Sequence, residues 1–202
     1  MLHYGEDEAI TQRDNDSNDD CNYDEKIFFA DGKAVRAERD TDHDARTDVW
    51  VTLGEDGKPT RQEIDTRGDG KPDEVTDFEG GSPTLRREDR NADGQPDTTT
   101  RFAAGVPAQK TEDSNFDGSI DTTTTYQDGR IATVEQDRDH DARLDLIAEF
   151  NPDGSKRRER QDANADGQLN ITIQYRDGVQ IRVEDDTSGD GKPNIISHFE
   201  NE

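Results

Sequence analysis

The sequence predicts an all-β chain built from tandem β-hairpin repeats of 24–25 residues, joined by short acidic loops into an elongated meander or solenoid. Three observations predict this. An aspartate opens a nine-residue acidic stretch at Asp16, Asp40, Asp65, Asp89, Asp113, Asp137, Asp162 and Asp186, so every step is 24 or 25 residues. Five residues after each stretch stands a large apolar or aromatic residue: Phe29, Leu53, Phe78, Phe102, Tyr126, Phe150, Tyr175 and Phe199. Turn dipeptides then recur in phase, at Asp31-Gly32, Asp56-Gly57, Gly80-Gly81, Asp128-Gly129, Asp153-Gly154 and Asp177-Gly178. Self-similarity at such a period is the signature of a repeat architecture.

Counting back two from each large residue gives Ile27, Val51, Thr76, Thr100, Thr124, Ala148, Ile173 and Ser197. A period of two, rich in β-branched residues, reads as a short strand with one buried face. The Gly-containing dipeptide turns the chain back, and a second run follows, as in Val35 and Ala37 or Val179, Ile181 and Val183. In other repeats this run is mostly polar, as from Lys156 to Gln161, and is expected to lie solvated or at an edge. Residues 1–202 thus form one repeat array: a half-repeat over 1–15, repeats starting at 16, 40, 65, 89, 113, 137 and 162, and a partial repeat over 186–202. Tyr4 lies twelve residues before Asp16, as Leu53 lies twelve before Asp65, so both ends of the sequence fall in a first strand. The matching phase is compatible with self-association or end-to-end assembly, and equally with half-repeats acting as caps.

Composition sharpens the question of what holds such an array together. Only 26% of the residues are hydrophobic, 37% are charged and the formal net charge is −25. That balance is typical of disordered chains, so the fold needs regular repetition, cations, or both. The charge excludes nucleic acid as a default partner and disfavours anionic membrane surfaces. No apolar run approaches the 18 residues of a membrane span, so no membrane insertion is expected. The N-terminus, MLHYGEDEAI, lacks the basic start and apolar run of a signal peptide. The chain is therefore either cytoplasmic or a processed or excised piece. Cys21 is the only cysteine, which leaves no intrachain disulfide.

The acidic stretches follow Asp-x-(Asp/Asn)-x-Asp-(Gly/Ala)-x-x-(Asp/Asn). Calcium takes six to eight hard oxygen ligands in a flexible shell, and carboxylates or amides at positions 1, 3, 5 and 9 can supply several to one centre. The backbone carbonyl of position 7 adds another, and a small residue at position 6 permits a sharp turn. The candidate ligands of loop one are Asp16, Asn18, Asp20 and Asp24, with the Asn22 carbonyl. Loop two offers Asp40, Asp42, Asp44, Asp48 and the Arg46 carbonyl, and loop three Asp65, Asp69, Asp73 and the Lys71 carbonyl, with Arg67 at position 3. In loop four they are Asp89, Asn91, Asp93, Asp97 and the Gln95 carbonyl; in loop five Asp113, Asn115, Asp117, Asp121 and the Ser119 carbonyl. Loop six offers Asp137, Asp139, Asp141, Asp145 and the Arg143 carbonyl. Loop seven has Asp162, Asn164, Asp166, Asn170 and the Gln168 carbonyl, and loop eight Asp186, Ser188, Asp190, Asn194 and the Lys192 carbonyl.

Aspartates at these side-chain positions account for 24 of the 50 acidic residues, and eight divalent ions would bring the charge from −25 to −9. Without cations the clustered carboxylates repel one another. Loops two and six, with four aspartates each, are expected to bind most tightly. Loop three, with Arg67, and loop eight, with two carboxylates, are expected to be weakest. Position 12 holds strand residues instead of the bidentate Glu of an EF-hand, so position 9 takes that role and only the first half of such a loop is matched.

These loops resemble the calcium loops of thrombospondin type-3 repeats and integrin α-subunit propeller blades. The first of those families is cysteine-rich and the second spaces its loops more widely. Over essentially the whole chain the pattern is most similar to the Asp-rich tandem calcium repeats of bacterial extracellular proteins. That resemblance implies a calcium-binding structural protein, extracellular or on the cell surface, acting as an adhesive, matrix or fibre component rigidified by up to eight Ca²⁺. A soluble calcium buffer or sensor, or a head-to-tail fibre subunit, is the alternative.

Other signals are weaker. Arg67-Gly68-Asp69 spells an integrin-recognition tripeptide, but Asp69 already has a place as a ligand. Asn15-Asp16-Ser17 and Asn170-Ile171-Thr172 match the glycosylation sequon. His43 and His140, both at position 4 of an Asp-His-Asp-Ala stretch, are expected to point outward into solvent. No Ser/His/Asp set, zinc spacing or phosphate-binding Gly loop stands out, and no enzymatic activity is expected.

Overall fold

The computed structural model describes residues 1–6 and 8–199. All regular structure among the described residues is β, in antiparallel strands that pair in sequence order. The chain divides into two compact units, Met1–Pro96 with Phe102–Gly105 and Asp97–Arg101 with Val106–Glu202.

In the first unit β1 (Leu2–Tyr4), β2 (Ile10–Asn15), β3 (Glu25–Ala30) and β4 (Lys33–Arg39) are followed by β5 (Val49–Leu53), β6 (Pro59–Ile64), β7 (Glu74–Glu79) and β8 (Ser82–Glu88). Each strand pairs antiparallel with the next. The chain continues with β9 (Thr98–Ala103), which both units share, and β10 (Val106–Glu112). The second unit goes on through β11 (Thr122–Gln127), β12 (Arg130–Gln136), β13 (Leu146–Phe150), β14 (Lys156–Gln161), β15 (Ile171–Arg176), β16 (Val179–Asp185) and β17 (Ile195–His198). From β10 onward it forms the same sequential meander. The first and last strands are Leu2–Tyr4 and Ile195–His198.

Tight turns set the hairpins. Asp31-Gly32, Gly80-Gly81, Asp128-Gly129 and Asp177-Gly178 each place two successive residues at positive φ, for example 49° and 72° at Asp31 and Gly32. That is the conformation of a two-residue type I′ connection, whose twist matches the flanking strands. Ala104-Gly105 does the same, with φ of 50° and 80°, at a turn that the dipeptide signals did not mark. The repeats that begin at Asp40 and Asp137 have longer turns instead, closed by Gly54 N–H to Lys58 O and Asn151 N–H to Ser155 O, both 2.8 Å. These are the two 25-residue repeats. The extra residue is absorbed at the hairpin turn, and every acidic loop keeps its nine residues.

Register places the period-two residues in rows across the strands. Ile27, Ala37, Val51, Gln62, Thr76 and Arg86 stand opposite one another in the first unit. Thr124, Val134, Ala148, Glu159, Ile173, Val183 and Ser197 do so in the second. These rows carry the more protected face; the opposite face holds charged ladders such as Arg61–Asp77 at 3.3 Å, with Arg36 stacked 5.8 Å from the Phe28 ring centre. The large apolar residue follows a register shift in six hairpins, for example between Phe28 and Phe29 or Glu149 and Phe150. Such bulges add local twist.

The polar second runs are not solvated edges. Strand β14 lies between β13 and β15, and Glu159 at its centre is buried, taking hydrogen bonds from Lys156 and Gln161. The order of a meander fixes a strand's place whatever its hydropathy. The apolar core is correspondingly thin, for Ala37, Val49, Leu146 and Ala148 are the buried apolar residues among those described. Twice as many loop aspartates are buried: Asp24, Asp40, Asp65, Asp73, Asp97, Asp113, Asp121 and Asp137. The two ends of the acidic loops are thus among the protected parts of the fold, while loop interiors such as Thr41–Arg46 are exposed.

Candidate metal centres

Each loop wraps around its first aspartate. The N–H of position 6 donates to Oδ2 of position 1 in all eight loops, at 2.6–2.9 Å. In loop six the other oxygen of Asp137 accepts the N–H groups of His140 at 2.8 Å and Asp141 at 3.3 Å. The position-5 aspartate accepts the N–H of position 7 in all eight loops, at 2.7–2.9 Å. Position 9 folds back onto the start of the loop: Asp48 accepts from Thr41 N–H at 2.7 Å, Asp73 from Thr66 N–H at 2.9 Å and Asp121 from Ser114 N–H at 2.6 Å.

This wrapping fixes the backbone. Position 6 has positive φ in every loop, as its small residues suggested, with 72° at Ala45 and 90° at Gly118. Position 4 also has positive φ in every loop, whether it is Gly68, Ala92, His43 or Phe116. Sequence reasoning missed that, because the residues at position 4 share no chemistry. The conformation is imposed by the neighbouring aspartates, and a non-glycine residue there carries a cost of roughly 1–2 kcal/mol.

Neighbouring loops are stitched together. The N–H of each position 1 donates to the carbonyl of the preceding position 9, as in Asp40 to Asp24 at 2.9 Å, Asp65 to Asp48 at 2.8 Å and Asp137 to Asp121 at 2.8 Å. The two histidines are exposed, as expected, and they also strengthen these joints. His43 Nδ1 lies 3.0 Å from Asp24 Oδ1, and His140 Nδ1 lies 2.8 Å from Asp121 Oδ1. The hydroxyl and N–H of Ser17, with His43, hold the Asp24 carboxyl down to about 2. Burial works to raise Asp121, yet Ser114, His140 and the Asn115 N–H outweigh it and bring that group to about 2 as well. Hydrogen bonding to the paired carboxylates raises both histidines in turn.

Two loops bring three carboxylates to one point. Oxygens of Asp40, Asp42 and Asp48, and likewise of Asp137, Asp139 and Asp145, lie within 4.8 Å of one another. Two oxygens that share a calcium ion at about 2.4 Å can be at most about 4.8 Å apart, so either group can hold a metal ion. An oxygen that already accepts an N–H keeps a second lone pair for a cation. These are the two loops with four aspartates, and the position-5 residues Asp44 and Asp141 stand outside the converging trio. Asp139 shows the strain of the cluster: desolvation, then the charges of Asp141, Asp145 and Asp137, raise its carboxyl.

The remaining loops substitute the third carboxylate. In loops one, four, five and seven an asparagine stands at position 3 and donates to the position-5 carboxylate, from Asn18, Asn91, Asn115 and Asn164 at 2.9–3.1 Å. Loop four is divided between the units after Pro96. In loop seven Asn170 accepts the Ala163 N–H at 2.9 Å, and in loop eight Asn194 accepts the Ser188 N–H at 2.9 Å. Loop three has Arg67 Nε 3.6 Å from Asp73. The aspartates common to all eight loops, at positions 1 and 5, cap backbone N–H groups in every loop. Among the four side-chain ligand positions, position 3 varies most, and it decides whether a third carboxylate joins.

The chain matches no known family model and no curated protein sequence. Fold and site together define its class as an all-β repeat protein with an acidic, self-capped loop at each repeat junction, two of which can hold a metal ion.

Proposed function

We propose that the chain is a calcium-binding structural repeat protein whose loops, when they bind Ca²⁺, rigidify an extracellular adhesive, matrix or fibre component. The observation that carries this reading is the convergence of three carboxylates in loops two and six, on a backbone already wound to present them. All the donors are hard oxygens, which suits Ca²⁺ over softer-ligand metals. The solvent-facing third carboxylates, Asp42 and Asp139, are exposed, which suits the weak sites of extracellular modules. A buffer would need tight, independent sites, whereas these loops are tied into the joints between repeats.

The experiment is a calcium titration by isothermal calorimetry, with Asp139→Ala beside the wild-type chain. Calcium is expected to bind at roughly 0.1–1 mM, and Asp139→Ala to lose one of the stronger sites. In chelator the same variant is expected to melt no lower than wild type, because Asp139 there is a repelled charge. Unchanged calcium binding in Asp139→Ala, or sub-micromolar sites throughout, would overturn the reading.

A further inference from the structure

Loop three carries a cation of its own. At its third position, where four other loops have asparagine and two have aspartate, stands Arg67. Its Nε lies 3.6 Å from Asp73 Oδ2, and its Nη1 donates to the carbonyl of Asp89 at 2.8 Å. Asp73 is the residue that closes loop three, accepting the N–H and the hydroxyl of Thr66 at 2.9 and 2.5 Å. Asp89 opens the next loop, and its N–H donates to the Asp73 carbonyl at 2.8 Å. The guanidinium therefore spans the end of one loop and the start of the next, at the joint between two repeats. Its planar fork lets one side chain pair with the Asp73 carboxylate and donate to the Asp89 carbonyl. A divalent ion approaching Asp65, Asp69 and Asp73 would meet that fixed positive charge.

We propose that Arg67 is a tethered counter-ion: it neutralises Asp73, ties loop three to loop four and keeps that joint closed without a divalent ion. The contrast with loops two and six rests on the calcium reading, but the tether itself does not. Hydrogen exchange followed by NMR, with calcium and with chelator, separates the two. Calcium is expected to slow the Ala45 and Ala142 amides, which donate to Asp40 and Asp137, by about tenfold or more. The Gly70 amide, which donates to Asp65, is expected not to respond. In Arg67→Asn the Gly70 amide should exchange about tenfold faster in chelator, and in Arg67→Asp, which gives loop three the four aspartates of loops two and six, it should become calcium-responsive, with one more ion bound per chain by equilibrium dialysis. Should those variants not fold, Arg67→Lys keeps the charge without the fork, and its Gly70 amide is expected to exchange several-fold faster in chelator and to stay unresponsive to calcium.

A wild-type Gly70 amide that responds to calcium as Ala45 does would overturn the proposal. So would an Arg67→Asn chain whose Gly70 exchange in chelator matches wild type. If no wild-type amide responds to calcium, the calcium reading of loops two and six fails, and the chelator comparison of Arg67→Asn with wild type alone decides the role of Arg67.

Discussion

Replacing Asp137 by alanine is expected to lower stability by about 3 kcal/mol, in chelator as well as in calcium. The side chain is buried and accepts the N–H groups of His140, Asp141 and Ala142, which hold loop six in its wound form. Hydrogen bonds to a charged acceptor contribute roughly 1.5–3 kcal/mol each, and the full sum is not expected because water can reach part of the released loop. Positive φ at His140 and Ala142 adds to the effect, since the bonds to Asp137 help to hold both residues in a conformation they disfavour. The neighbouring Asp139→Ala removes an exposed carboxylate whose weak contact is the Asp141 N–H at 3.3 Å. The pair therefore separates the loop's two tasks. Asp137 winds the backbone, and Asp139 completes the cation cluster. Denaturant unfolding of both variants in chelator measures this, and a loss below about 1 kcal/mol for Asp137→Ala would contradict it.

Acid is expected to unfold the chain across the window set by Asp24 and Asp121. Both carboxyls are lowered from 3.8 to about 2 in the fold. A lowered carboxyl contributes stability that is fully present above its unfolded value of 3.8 and is lost as pH falls towards about 2. Asp65, Asp162 and Asp186 are lowered as well, by the loop N–H groups they accept, against the opposing effect of burial. The histidines act at the other end of the range. Raised above 6.5, His43 and His140 contribute stability that is present below that value and fades as pH rises through their folded values. In calcium-free buffer the melting temperature should therefore rise from alkaline pH towards about pH 5, helped by the easing of carboxylate repulsion, and then fall below about pH 4. A melting temperature that keeps rising down to pH 2 would show that the capped aspartates are dispensable.

Much of the fold was legible because its signals are local and repeated. A turn pair such as Asp31-Gly32 states its own conformation, and the offset from Asp16 to Phe29 recurs closely enough to place each first strand. The winding of position 6 was equally readable from Gly70, Gly94 and Gly118. What escaped lies between repeats or follows from topology. His43 reaches Asp24 across nineteen residues, a contact that exists because antiparallel pairing sets adjacent loops side by side. The burial of Glu159 depends on β14 having a neighbour on each side, which no property of Lys156–Gln161 reveals. Arg67 reads in sequence as a defective ligand, and its two partners become visible when the ninth position of its own loop and the first of the next are seen together. The aspartates at positions 1 and 5 carry a backbone-capping duty that the metal-loop pattern conceals, because one residue type serves both purposes.

The thin apolar core and the burial of eight loop aspartates place the stability of the array in its joints, and calcium is expected to act there. The most direct test is thermal melting by far-ultraviolet circular dichroism, in millimolar calcium and in chelator at the same ionic strength. Calcium binding to the folded joints predicts a melting temperature higher by roughly 10 °C or more with calcium, and a weaker β signal in chelator. Superimposable β signal and melting temperature in the two buffers would contradict the account.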